Sequence, residues 1–184
     1  YNHIVIPGGN PPRTCIAFSI TEQLFILVKY GILPQTILTE LESTISLLKE
    51  NDSEMRIEAK TVATLLVNKL PVIYSTDKFE PVSIRFRQQL NENSKMLCWH
   101  HVIPELNHNE IVGWRSKENR LSVLIIQDGD EFYRNQKRTE YLNEVVTQYA
   151  GNVFHLMANG KSALAKTLYL IHFADWLSIH LAEI

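Results

Sequence analysis

Residues 88–114 read QQLNENSKMLCWHHVIPELNHNEIVGW and gather Glu92, His100, His101, Glu105, His108 and Glu110 within one short stretch. Carboxylates and imidazoles at this density can hold a metal ion or move protons. The metal reading meets a geometric obstacle. His100 and His101 are adjacent in a stretch that reads as strand, so their rings point to opposite faces, one buried and one solvated, and cannot share one ion. The His108-x-Glu110 pair resembles that of the zinc deaminases, but no PCxxC follows and Cys98 lies on the wrong side. No metal is expected. For proton transfer, Glu92 sits near the end of a helix, and His108 stands sixteen positions on, beyond a strand. A carboxylate base and a separate imidazole are the two groups an aldose–ketose isomerisation needs. One moves the carbon-bound proton, the other the ring-oxygen proton. Spacing alone leaves the pair open between this chemistry and two solvated surface groups.

Three further stretches bear on ligands. Arg13 follows PGGNPP and opens a helix, where it can steady a phosphate or an enediolate oxygen or simply be solvated. Tyr74-Ser75-Thr76-Asp77 ends a strand before a helix, the place where parallel sheets bind ligands, and makes Ser75 and Thr76 candidate phosphate contacts. Asn159-Gly160-Lys161-Ser162 looks like the tail of a P-loop, but His155 stands where the first glycine is required, so a nucleotide site is rejected.

These residues need elements to position them. Apolar spacing predicts a helix over 13–30 with Gly31 as its stop, then helices over 35–50 and 54–70, separated by a loop and N-cap at 51–53. After this mostly helical lead-in over 1–70, strands at 71–75, 96–102, 121–126 and 152–157 alternate with helices at 80–93, 132–149 and 162–184. That alternation predicts a parallel sheet covered on both faces, within a single domain spanning 1–184. The chain has 184 residues, 45% hydrophobic and 21% charged, an ordinary globular balance. A net charge of -2 excludes the basic field of general nucleic-acid binding. Apolar runs such as 24–28 and 123–126 are far too short to span a membrane. Cys15 and Cys98, distant and without a CxxC, suggest a reducing, cytoplasmic setting. The start at Tyr1, without Met, reads as the second part of something longer.

The stretches PGG with Pro12-Arg13, then Pro71-Val72-Ile73-Tyr74, QLNENSK over 89–95, PELNHNEIVGW over 104–114 and GKSALAKTLYLIHFADWLSIHLA over 160–182 carry a resemblance. The chain resembles the second half of the bifunctional phosphoglucose/phosphomannose isomerases, which are built from two sugar isomerase (SIS) domains. The resemblance implies a three-layer α/β/α fold with a mainly parallel sheet of about five strands. It implies that Glu92 of LNEN is the base shuttling a proton between C1 and C2. It implies that His108 of NHNE assists ring opening and reaches the site of a neighbouring subunit, and that Arg13 steadies the enediolate. The expected reaction is isomerisation of glucose 6-phosphate and fructose 6-phosphate, with mannose 6-phosphate as a further substrate, through a cis-enediol and without a cofactor. The expected assembly is a homodimer with a shared site. The family holds its sugar phosphate mainly through serines and threonines of the first SIS domain, and carries a DPTP segment and a lysine beyond the closing helix. Neither lies in this sequence, so the fragment alone is expected to be inactive. Two alternatives stay open: a non-catalytic SIS module that senses sugar phosphates, and an isomerase of amino-sugar phosphates.

Overall fold

The computed structural model describes residues 3–184, so the start at Tyr1 lies outside the described residues. A 3-10 turn at Pro12–Thr14 leads into α1 (Ile16–Lys29), and a long α2 (Thr36–Leu66) follows. The alternating part comprises β1 (Leu70–Thr76), α3 (Glu80–Glu92), β2 (Trp99–Ile103), β3 (Glu118–Gln127), α4 (Tyr133–Tyr149), β4 (Ala150–Met157) and α5 (Ala163–Glu183). The strands form one four-stranded sheet in the order β2-β1-β3-β4, and every pairing is parallel. The four runs read from the residues are the four strands found. The fifth strand implied by the resemblance is not among the described residues, where α2 is what precedes β1.

The central strands show why both faces must be covered. On β1 and β3, Ile73, Leu124 and Ile126 point to one side, with Val72, Tyr74, Val123 and Ile125 on the other. The first set packs against α3, α5 and, behind them, α2, through Phe86, Leu90, Leu170, Leu177 and Met55. The second packs against Leu142 and Val146 of α4 and against Leu106, Ile111 and Trp114 of the segment after β2. Each such large apolar side chain, fully buried, contributes about 1.5–3 kcal/mol.

Gly31 ends α1 as its position predicts. It sits at φ +68, its N–H bonds Val28 O, and Ile32 N bonds Leu27 O, which closes the helix end. The loop expected at 51–53 is not found, because α2 runs straight through it. The polar side chains there are satisfied without a break. Asn51 Nδ2 donates back to Leu47 O at 2.8 Å. Asp52 accepts from Arg56 one turn on at 2.7 Å, and from His172 at 2.9 Å and Trp176 at 3.2 Å on α5. The His172 hydrogen bond, then that of Arg56, holds the Asp52 pKa below the usual carboxylate value.

The β3–β4 pairing is irregular between Glu118 and Ser122. At that point the two strands come so close that a Cβ on Gly151 would lie 2.2 Å from the backbone oxygen of Asn119. Gly151→Ala should therefore destabilise the fold by about 1–3 kcal/mol through forced strand separation. Urea denaturation measures this, and an unchanged midpoint would show that the strands can part freely here.

Candidate active site

In an open parallel sheet, ligands bind beyond the carboxyl ends of the strands, where the strand order reverses. Here that point lies between β1 and β3. The crevice holds the protein's own ions beside a cavity of about 300 Å³ lined by Gln127, Asp128, Gly129 and Glu131. Asp128, which follows β3, is buried and receives the ammonium groups of both Lys78 and Lys166, the latter at 2.8 Å. Asp130 N–H also bonds it, at 3.2 Å, and Lys166 reaches Asp130 at 2.6 Å. Burial raises the Asp128 pKa, but hydrogen bonds from Lys166 and then Lys78 outweigh it and hold the group at about 2.

Ser75 and Thr76, the residues expected to contact phosphate, end β1 at this edge. Both are buried. The Ser75 hydroxyl accepts from that of Ser83 at 2.9 Å, and Thr76 Oγ1 donates to Glu131 at 2.8 Å. Their hydroxyls are thus engaged inside the fold.

Glu92 stands at the other edge. A crossover helix must run back along the sheet, and the thirteen residues of α3 span about 20 Å from Glu80 to Glu92. Glu92 is exposed, and its carboxylate makes no hydrogen bond among the described residues. The backbone around it is pinned. Lys95 Nζ donates to Glu92 O at 2.7 Å, and Ser94 Oγ donates to Ser178 O of α5 at 2.8 Å. Asn93 Nδ2 donates to Ser178 Oγ at 2.9 Å, while Asn93 Oδ1 accepts from Arg13 Nε at 2.7 Å. Arg13 is thereby brought beside the end of α3. Its carbonyl oxygen accepts from Arg85 Nη2 at 3.1 Å. Arg85 also pairs with Asp175 of α5 at 2.7 Å, and Gln89 donates to the second oxygen of Asp175 at 2.9 Å.

His108 lies beyond the carboxyl end of β2, just after a 3-10 turn at Glu105–Asn107. It is exposed, and its ring has no partner among the described residues. Its loop is held by Glu110, whose carboxylate accepts from Tyr74 at 2.5 Å and from Trp99 at 3.0 Å and meets His101 Nδ1 at 2.6 Å. Trp114 Nε1 donates to the Tyr74 hydroxyl at 3.1 Å. Burial, and then the hydrogen bond to Glu110, raises the Tyr74 pKa far above its ordinary value. The two β2 histidines do point to opposite faces, His101 to Glu110 and His100 towards Glu80, which it approaches to 4.0 Å. Neither is the solvated strand-end residue expected, because α3 covers one side of β2 and the 110–114 turn the other. Among the described residues no group of three or more His, Cys, Asp or Glu is placed to hold a metal ion.

The structure thus brings Glu92 and Arg13 together and sets His108, Ser75 and Thr76 at the opposite edge of the sheet. The residues that tie Arg13 and Glu92 down were not singled out from the sequence. Asn93 lies inside the LNEN motif itself. Asp175 and Ser178 were detectable only as polar residues three apart on the closing helix, and Ser178 is fully buried.

A four-stranded parallel sheet covered on both faces by helices is a three-layer α/β fold. Its fold is similar to that of a glucose-6-phosphate isomerase like protein from Thermus thermophilus, with a TM-score of 0.65, 21% identity, and coverage of 86% of this chain and 53% of that one. The sequence model described as "Bacterial phospho-glucose isomerase C-terminal SIS domain" matches residues 56–184, and the chain belongs to that family. Curated relatives include the bifunctional phosphoglucose/phosphomannose isomerase of Aquifex aeolicus, 32% identical over 97% of this chain and 54% of the relative. That of Thermoplasma volcanium is 33% identical over 100% of this chain and 58% of the relative. The chain spans about half the length of these relatives. No described helix is long and apolar enough to cross a membrane.

Asp128 gives a pH-dependent expectation. Its folded pKa is depressed, so its stabilisation is present above the ordinary carboxylate value and is lost as pH falls through the folded one. Asp128→Asn should cost on the order of 3 kcal/mol near neutral pH, since it removes the buried carboxylate that Lys78 and Lys166 share. The gap to the unaltered protein should close between about pH 4 and about pH 2. Denaturation curves across this range test it, and a gap independent of pH would remove the ion network from the explanation.

Proposed function

We propose that this chain supplies the proton-transfer machinery of an aldose–ketose isomerase for hexose 6-phosphates. The enzyme interconverts glucose 6-phosphate and fructose 6-phosphate, as in glycolysis, and takes mannose 6-phosphate as a further substrate. Names of relatives support the hexose-phosphate class. The observation that carries the reading is the Glu92 carboxylate, free and exposed on a pinned helix end beside Arg13. His108 assists opening of the pyranose by moving the ring-oxygen proton. Glu92 then takes the C2 proton, negative charge develops on the C1 oxygen, and the Arg13 guanidinium meets it. Return of the proton to C1, with passage of a proton from the C2 hydroxyl to the C1 oxygen, completes the cis-enediol route to the ketose, with no net gain or loss of electrons. A module that only senses sugar phosphate has no use for an unpaired base in this place. The two free cysteines, with the Cys98 thiol pushed up to about 11 by burial, suit a cytoplasmic enzyme.

Within one chain β2 carries the sequence from the edge that holds Glu92 to the edge that holds His108, so a site that uses both takes two copies. The covering of α1 supports a homodimer. None of its residues is buried, and Phe18, Phe25 and Tyr30 stand 40%, 50% and 71% exposed on an apolar helix. The second copy is the proposed cover. α5, by contrast, places its apolar side chains in the core and offers no such face. The engaged hydroxyls of Ser75 and Thr76 leave the substrate phosphate to a surface outside these residues. This chain alone is therefore expected to dimerise without turnover.

In the complete enzyme, Glu92→Gln should lower kcat by about 10²- to 10⁴-fold with the fold intact. Activity within a few-fold of the parent in a coupled fructose 6-phosphate assay removes Glu92 from the role. Sharing of the site has its own test. Glu92→Gln and His108→Ala enzymes, each impaired alone, should recover about one quarter of parental activity when unfolded and refolded together. Half of the random dimers then carry one intact site of two. No recovery on mixing argues that the two residues act within one chain.

A further inference from the structure

The LNEN motif contributes a second residue whose geometry goes beyond the proton-transfer roles above. Asn93 stands between two elements that otherwise do not meet at this point, the 3-10 turn carrying Arg13 and the last third of α5. Its amide is read in one orientation only. Ser178 Oγ donates to Asp175 O at 2.8 Å, so toward Asn93 it can only accept, and the Asn93 NH₂ must face it. The carbonyl Oδ1 is then left to face Arg13 Nε, which it does at 2.7 Å. This bond uses the inner edge of the guanidinium. The outer edge, with both Nη groups, bonds no other side chain among the described residues. A planar guanidinium held at Nε is fixed in direction, and its remaining N–H groups then point where they are useful without reorganisation. Arg85 secures the same residue from its backbone side, holding Arg13 O while paired with Asp175.

We propose that Asn93 is a positioning residue: by bridging Ser178 to Arg13 Nε it aims the free edge of the Arg13 guanidinium over the ground beside Glu92, where the enediolate oxygen forms. The proposal rests on the isomerase reading of Glu92 and Arg13. Aspartate cannot replace asparagine in this role. It has no donor for Ser178, and its charge pairs with Arg13 and neutralises it next to the base.

The test is a double-mutant cycle in the complete enzyme, with fructose 6-phosphate as substrate and melting temperature measured alongside. Asn93→Ala should lower kcat by about 10- to 100-fold, the size of effect expected from a misaimed catalytic group, with KM changed by less than about 3-fold. In an Arg13→Ala background the same substitution should add less than about 3-fold, because there is no longer a guanidinium to aim. Asn93→Asp, nearly isosteric, provides the same comparison if the alanine variant melts too low. Losses that multiply independently in the double variant overturn the positioning role, as does a parental kcat in Asn93→Ala beside an impaired Arg13→Ala. A parental kcat in Arg13→Ala itself overturns the reading on which the proposal rests, and is distinct from either result.

Discussion

A parallel strand must be followed by a connection that returns the full length of the sheet before the next strand can begin. That constraint arranges everything chemical in this protein. Residues ending a strand and residues ending the helix after it stand at opposite edges, however close they are in sequence. Glu92 and His108 are sixteen positions apart in the chain. The strand β2 between them nevertheless carries the chain from one edge of the sheet to the other. Proximity in sequence therefore gives no common site here. It gives two unpaired polar groups at opposite edges of one sheet.

The edge where such a sheet ordinarily takes its ligand has been closed electrostatically. Lys78 and Lys166 converge on the buried carboxylate of Asp128, with Asp130 completing the set. Two ammonium groups and a backbone N–H around one anion are what a phosphate would otherwise require. With Asp128 in that position the crevice has no free positive charge to offer. The exposed carboxylate of Glu92 and the Arg13 side chain stand at the opposite edge, at the end of α3.

The sequence showed the parallel sheet because β1 and β3 are apolar on both parities, which only burial on both faces permits. It showed the stop of α1 because Gly31 takes a left-handed conformation that other residues resist. Glu92, Arg13 and His108 were legible through their motifs rather than through spacing, which leaves such pairs open. What was hidden depends on partners far along the chain. The polar triplet at 51–53 looks like a loop until His172 and Trp176, some 120 positions away, are seen to meet Asp52. Ser75 and Thr76 look like ligand contacts until Ser83 and Glu131 are seen to occupy their hydroxyls. Local patterning reports burial and turns well. It does not report which of several polar groups will find one another across the fold.

The distribution of hydrogen bonds divides the polar residues into two kinds. Glu110, Asn93, Asp175 and Asp128 each hold several partners, and each joins separate elements. Glu92 and His108 hold none through their side chains, yet each is flanked by one of the anchors: Glu92 by Asn93, His108 by Asn109 and then Glu110. A free polar side chain on a mobile backbone would lose entropy whenever it met a substrate. A free side chain on a pinned backbone has already given up most of that freedom in folding, so less is lost at the reacting centre. The stretches LNEN and NHNE each hold both parts at once, a free side chain and the neighbour that keeps its backbone in place.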